Sequence, residues 1–429
     1  MLQYYLNIIV YTVIMVPYTI IYFRKYRVNP VSLFLLMQLS FFYGICFAPK
    51  GQWDAAIKLE SLYVLAGPCF IAGVEFGKRI HSSSRTVGIG VYSDEELSRN
   101  QRLTVWIITG VSILACVYFF AAGGVNVFLE SLKDFFRGDT ETYYQDEREQ
   151  FFSVSGVGYI YQFRTVLLPI CATYFLFAAK QKIPKIAALG LFVLMIVFLL
   201  GTGQRNAFVF VCAILIVYFY LMWREYRIKV VSKSTLLIFG LAAVLFLVIL
   251  TISNRRVAGA DNAALAALES LIDRFMGVNQ RTAITAFRYI DTQPTVWGYD
   301  WWMMMMDILP GKSGYLSVDR IVFYMAYGNY SGTGPPCLWA SAWYNFNILG
   351  VTLFPLVLGF LYQNVYKKMV AFPRKNRMYM LLYAALCVYL GIWAYGTPMT
   401  LFNNGVVTIL LMRWILFTFI PKGIRRDHL

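Results

Sequence analysis

The sequence predicts an all-α polytopic integral membrane protein with about eleven transmembrane helices, and three observations carry that expectation. Of its 429 residues 59% are hydrophobic and only 14% are charged, whereas soluble domains run near one half and one quarter. The hydrophobic residues gather in runs of about 20, the length that crosses a hydrocarbon core of about 30 Å. The 38 lysines and arginines, which set a formal charge of +16, lie in short clusters between those runs. This composition excludes a soluble globular protein, a disordered chain and a collagen-like one, and the scattered charge speaks against a nucleic-acid partner.

The runs fall at 4–23, 31–48, 57–76, 103–122, 156–179, 186–201, 206–223, 235–253, 338–362, 378–395 and 403–420. The first has no basic residue before it and no A-x-A site after it, so it reads as a retained helix rather than a cleaved signal peptide. Only Gly201-Thr202-Gly203-Gln204-Arg205 divides the sixth run from the seventh. One helix through both, about 38 residues, would overshoot the bilayer, so a tight turn is expected there.

Basic residues counted on alternate sides give an orientation. The clusters at 24–27, 78–102, 180–185, 224–233, 367–377 and 422–426 hold 23 of the 38, with four acids among them and a fifth, Asp427, directly after the last. The other side holds 13, together with nearly all the remaining acids, and Arg164 and Arg413 lie inside spans. The excess places the first set in the cytoplasm, with the N-terminus outside and the C-terminus inside. Two long loops then fall outside, 123–155 and the roughly 84 residues of 254–337, within a single transmembrane domain covering 1–429. Long loops on an otherwise economical membrane protein are where chemistry is expected. Six of the seven cysteines lie in or beside apolar runs and Cys337 falls in the larger loop, so no structural disulfide is expected.

The only histidines, His81 and His428, fall on the cytoplasmic side. That removes imidazole acids, bases and zinc ligands from the outer face. The Gly-x-Gly at 201–203 lacks a nucleotide-binding context, and neither a phosphate-binding loop nor an internal repeat is present. What remains is arginine, carboxylate and aromatic residues. Arg205 sits in the short turn and Arg164 about two turns into the fifth run, depths at which an unpaired guanidinium is expensive; the plainer alternative for each is snorkelling or helix capping. Asn254-Arg255-Arg256 follows the eighth run, and Arg274, Arg281 and Arg288 recur at intervals of seven, which places them on one helical face. Such a face is either solvated and paired with Asp273 and Asp291 or a row of planar forks suited to phosphate oxygens.

The outer carboxylates are Asp139, Glu141, Asp146, Glu147, Glu149, Asp291, Asp300, Asp307 and Asp319. One of them in a partly desolvated site would suffice to accept a proton from a sugar hydroxyl. Tyr143-Tyr144 and Trp297-Gly298-Tyr299-Asp300-Trp301-Trp302 interleave aromatic rings with these acids. They would stack sugar rings or form an interfacial belt.

Three segments carry a resemblance: Gly201-Thr202-Gly203-Gln204-Arg205 between two spans, Gly298 to Pro310, and Tyr344-Asn345-Phe346-Asn347-Ile348-Leu349-Gly350. In that order, with many spans and one large loop before the last few, the chain resembles the Wzy-type oligosaccharide repeat unit polymerases, or O-antigen polymerases, of bacterial surface polysaccharide assembly. It departs from them at Asn347, where the family has glycine, and at Ser341, where many members carry glutamate.

The resemblance implies a fold related to the membrane-embedded C-type glycosyltransferases, in the bacterial plasma membrane with its active site on the outer face. It implies undecaprenyl-diphosphate-linked oligosaccharides as substrates, the bilayer and a chain-length regulator as partners, no nucleic acid, no cofactor and no metal. On that reading Arg164, Arg205, Arg255, Arg281 and Arg288 would hold the diphosphate. Glu141, Glu149 or Asp291 would be the base, and Tyr143, Tyr144, Trp297 and Tyr299 would contact sugars. The alternatives are a lipid-linked oligosaccharide flippase, disfavoured by the lack of a repeat and by the dominant loop, and an O-antigen ligase, disfavoured by the lack of an outer histidine.

Overall fold

A computed structural model describes residues 2–46, 53–80, 96–137, 157–179, 184–204, 206–228, 272–309, 314–328, 332–372 and 375–419, with isolated positions at 151, 230, 240, 265, 266, 269 and 330. Among the described residues every regular element is helical. Seven helices are long and apolar enough to cross a membrane: Leu2–Tyr26, Trp53–Ile80, Arg99–Gly123, Gly158–Ala178, Asn206–Tyr226, Ile348–Val370 and Arg377–Tyr395. Three further apolar helices, Pro30–Cys46, Lys185–Leu200 and Val406–Phe419, are shorter. Of the eighth apolar run only Gly240 is described. Length and apolarity therefore identify seven spans among the described residues.

The pattern of burial is that of helices whose outer solvent is apolar. Along Arg99–Gly123 the residues Leu103, Ile107, Val111, Leu114 and Val117 are exposed, while Gln101, Thr109 and Ser112 are buried. In water such a surface would be an aggregation site; in lipid it costs nothing, and the polar groups bond inward. Thr109 and Ser112 do so by donating to the carbonyls of Val105 and Ile108.

The ninth run, expected as one helix over 338–362, is two. Leu338–Phe346 ends at Asn347, whose φ is +51°, and Ile348–Val370 starts afresh. The left-handed region is costly for most side chains, and asparagine is among those that enter it. Gly350 makes the bend possible, because a Cβ there would run into the backbone carbonyl of Ala342.

Two compact units divide the chain. The first comprises Met1–Ile89, Glu269–Phe372 and Tyr389–Leu401. Its centre is the close packing of Trp53–Ile80 on Ile348–Val370, where Gly73 lies against the Leu356 carbonyl and Gly359 against the Phe70 carbonyl. Small residues let two backbones approach where there is no hydrophobic drive between helices in lipid. Around that seam Phe34 packs on Phe70 and Tyr362, with ring centroids 4.7 and 5.0 Å away. Three buried polar tips are matched across helices: Tyr22 donates to Gln363, Tyr362 to the Leu390 carbonyl, and Trp339 to Gln38. In lipid an unmatched polar tip would be costly, so these bonds fix which helices pair.

The second unit comprises Gly90–Leu268, Pro373–Val388 and Phe402–Leu429. Ser98 and Gln101 form a reciprocal cap at the start of Arg99–Gly123. At the other end of that helix, Phe119 and Phe120 pack with Val127, Phe151 and Ile160. The short helix Val127–Arg137 then begins with the Val127 N–H bonded to the Gly201 carbonyl, 2.8 Å away.

Candidate functional site

The helix Gly158–Ala178 is not a regular α-helix. It contains two widened turns, Phe163–Leu167 and Tyr174–Ala178, separated by Leu168–Thr173. Pro169 explains the first, since a proline ring has no N–H to give and clashes with the carbonyl four residues back. The Leu168 N–H reaches the Phe163 carbonyl instead, five residues back. Such π-turns are frequent at functional sites. Arg164 stands in this one.

Arg164 is 2% exposed. Its Nη1 donates to the carbonyls of Phe198 and Leu199 and to the Thr202 hydroxyl, at 3.3, 3.2 and 3.0 Å. Its guanidinium lies over the rings of Phe119 and Tyr161, 5.4 and 5.3 Å from their centroids, and its Nε has no hydrogen-bond partner. Both carbonyls lie in the last turn of Lys185–Leu200, where Phe198 also accepts from the Gly201 N–H, so the arginine helps cap that helix. All these partners are neutral. Among the described residues no carboxylate is paired with Arg164.

The turn that Arg164 grips is the one expected between the sixth and seventh runs. Thr202 is buried, and Gly203 adopts φ +70° to reverse the chain. Gly201 packs against Phe120 and Asn126, leaving no room for a Cβ. Asn126 in turn donates to the Val197 carbonyl and accepts from the Leu129 N–H. Two features read separately from the sequence, Arg164 and the 201–205 turn, are thus one piece of structure. Arg205 itself lies outside the described residues, as do Arg255, Glu141, Glu149, Tyr143 and Tyr144.

The first unit contains the other expected residues. Arg281 and Arg288 are exposed on the helix Asn279–Ile290. Arg281 is clasped by both oxygens of Asp273, at 2.8 and 2.6 Å, which is the locally paired alternative for that face. Arg274 does not continue the α-helical spacing, because it opens a widened turn, Arg274–Val278, that adds a residue before Arg281. Asp291 pairs with Lys58 of the helix Trp53–Ile80, a partly exposed ion pair of the kind that contributes little to stability.

Trp297 and Tyr299 are 71% and 54% exposed. Their loop is pinned from beneath, with the N–H groups of Val296 and Gly298 bonded to the carbonyls of Tyr344 and Asn345. Trp297 and Gly298 both have positive φ, +51° and +83°. Trp301, by contrast, points inward and donates to Ser341 at 2.7 Å, while its N–H bonds to the Asn345 side chain. The segments that begin at Gly298 and end at Gly350 are therefore packed together, and Ser341 serves as a hydrogen-bond partner within that contact. Cys337, expected in an aqueous loop, is buried with φ +66°, and burial pushes its thiol up to about 11. All seven cysteines are unpaired.

Two carboxylates not singled out from the sequence are buried here. Asp300, 0% exposed, accepts from the Tyr315 hydroxyl and the Val318 N–H at 3.1 and 3.0 Å. Asp319, 8% exposed, accepts from the Thr397 hydroxyl at 3.0 Å. One oxygen of each, Asp300 Oδ2 and Asp319 Oδ1, has no hydrogen-bond partner among the described residues. Burial raises the Asp300 carboxyl above its ordinary range, opposed by its hydrogen bonds from Val318, Tyr315 and Asn345. Burial, and then the negative charge of Asp300, pushes Asp319 up to about 7.

No protein-family model, curated protein or solved structure matches the chain.

Proposed function

We propose that the protein is an oligosaccharide repeat unit polymerase of the Wzy type, a glycosyltransferase on the outer face of a bacterial plasma membrane. In the reaction a hydroxyl at the non-reducing end of one lipid-linked repeat unit attacks the anomeric carbon of a growing glycan. The bond from that carbon to the diphosphate breaks, the hydroxyl proton passes to a base, and undecaprenyl diphosphate leaves. Two requirements follow: charge neutralisation on the leaving diphosphate, and a site that holds both lipid-linked substrates at the membrane surface.

The observation that carries this reading is Arg164, a buried guanidinium surrounded by carbonyls, a hydroxyl and two aromatic rings, with no carboxylate paired to it among the described residues. An arginine placed for structure alone at such depth would be expected to find an acid, because an uncancelled charge in a low-dielectric place is costly. Fixed beside Thr202, it attracts a diphosphate, and Arg205 follows Thr202 by three residues in sequence. The packing of the Gly298 and Tyr344–Gly350 segments on each other gives further support, since both belong to the resemblance. Of the carboxylates first considered as base, Asp291 is engaged with Lys58, which leaves Glu141 and Glu149.

Guanidinium groups do here what a divalent ion does in many glycosyltransferases, so the reaction is expected to be independent of metal. Purified protein in liposomes, supplied with lipid-diphosphate-linked repeat units, should build a ladder of longer glycans in the presence of EDTA. Product confined to the single repeat unit, from protein shown to be folded, would overturn the proposal. A ladder that EDTA abolishes and magnesium restores would remove the arginine-for-metal part of it.

A further inference from the structure

Asp300 and Asp319 stand at the second position of two short helices, Tyr299–Met306 and Val318–Tyr327. Their hydrogen bonds tie four pieces of the first unit together. Asp300 holds Tyr315 and the N–H of Val318. Asp319 holds Thr397, in the turn that follows the 3-10 segment Trp393–Tyr395, and Thr397 is itself fixed by the Trp393 indole on its carbonyl. The Asp319 carbonyl accepts from the Gly334 N–H, which brings in the stretch leading to Leu338–Phe346.

Two buried carboxylates that influence each other need a cation or a proton. Among the described residues, the charged and titratable groups around them supply no cation. Tyr299–Met306 offers Asp300 to Asp319, the 314–317 stretch offers Tyr315, and Leu338–Phe346 offers Tyr344, which acts on Asp300. The Asn279–Ile290 helix, packed against Val318–Tyr327, carries Arg281 and Arg288, both exposed, with Arg281 committed to Asp273, and Tyr289, which acts on Tyr344. Arg320, beside Asp319 in sequence, is exposed. The turn after Trp393–Tyr395 offers only the neutral Thr397. Three donors favour a charged Asp300, whereas Asp319 has one neutral hydroxyl and an open oxygen.

We infer that Asp319 carries a proton when this cluster is closed, and that the cluster loosens as pH rises toward neutral because opening releases that proton, freeing the Val318–Tyr327 helix from the turn at Thr397 and making the cluster a pH-responsive clamp. The linkage has a definite sign. In the closed cluster Asp319 titrates near 7, and in an opened one it would return to the ordinary aspartate value of about 3.9. The closed form therefore binds the proton more tightly. Opening is favoured by about tenfold per pH unit between those two values and levels off above the higher one. The inference concerns the first unit alone and stands or falls independently of the polymerase reading.

Hydrogen exchange of the 314–327 backbone tests it, in the intact protein in liposomes from about pH 5 to 8.5, with rates taken as a ratio to Asp319→Asn so that the chemical exchange rate cancels. The ratio should climb about tenfold per unit and flatten near pH 7. Asp300→Asn should move the flattening point to lower pH, because it removes the charge that helps hold the proton, and this variant keeps the test open if Asp319→Asn does not fold. A ratio constant with pH, or a flattening point unmoved in Asp300→Asn, would overturn the clamp. So would protection by added magnesium or calcium at pH 8 that Asp319→Asn abolishes, which would assign the open oxygens to a metal ion instead.

Discussion

Arg164→Met is expected to lose chain elongation by about 100-fold or more, the scale of removing one preorganised positive group from a developing anion, while its thermal midpoint stays within a few degrees of the unaltered protein. Two opposing effects on stability lie behind the second half of that statement. Replacing the guanidinium leaves the Leu199 carbonyl and the Thr202 hydroxyl without their donor, at about 1 kcal/mol each. It also removes a buried, unpaired cation whose desolvation costs several kcal/mol. The flexible thioether fills the slot between Phe119 and Tyr161 and makes favourable sulfur contacts with both rings. A residue present only to cap Lys185–Leu200 would show the reverse, a lower midpoint with elongation in proportion to the folded protein. Initial rates of glycan growth in liposomes, set beside thermal scans of the same preparations, separate the two.

Arg205→Ala should abolish the ladder without reducing the amount of folded protein. Arg164 holds Thr202, and in sequence Arg205 follows three residues after it. Two guanidiniums directed at one diphosphate act as a unit, so the double variant Arg164→Met with Arg205→Ala should be little worse than either single one. An unchanged ladder in Arg205→Ala would remove that residue from the site. Full additivity of the two losses would place the two arginines on different groups.

The helical membrane architecture was legible because it rests on run length and charge spacing, both local properties. The break at Asn347 was not, because 338–362 is apolar almost throughout, with only Ser341, Asn345, Asn347 and Thr352 as scattered polar residues; the bend depends on how closely Gly350 approaches Ala342. Arg164 stood out as a charge at depth, and Pro169, five residues on, was the signal for the widened turn that presents it. The arginine face was half legible. An interval of seven correctly places Arg281 and Arg288 on one helix, but neither the extra residue in the Arg274–Val278 turn nor the clasp of Asp273 on Arg281 follows from spacing.

Asp300 and Asp319 were visible only as two acids among nine. What distinguishes them is burial, and Asp319 acquires it from Thr397, 78 residues away in sequence. No periodicity carries information over that separation. Ser341 is a similar case: its place in the chain stood out only as a departure from a family pattern, whereas the hydrogen bond from the Trp301 indole supplies a reason for a small hydroxyl there.

The central claim is that the protein forms a glycosidic bond by expelling a lipid diphosphate. The most direct measurement counts both products in one reaction, with purified protein in sealed liposomes and a repeat unit labelled in the sugar and in the lipid. The account predicts one undecaprenyl diphosphate released for each new glycosidic bond, with labelled glycan found as dimers, trimers and longer. Lipid-linked repeat units that cross the bilayer intact, with no diphosphate released and no glycan longer than the starting unit, would contradict it and assign the chain to transport.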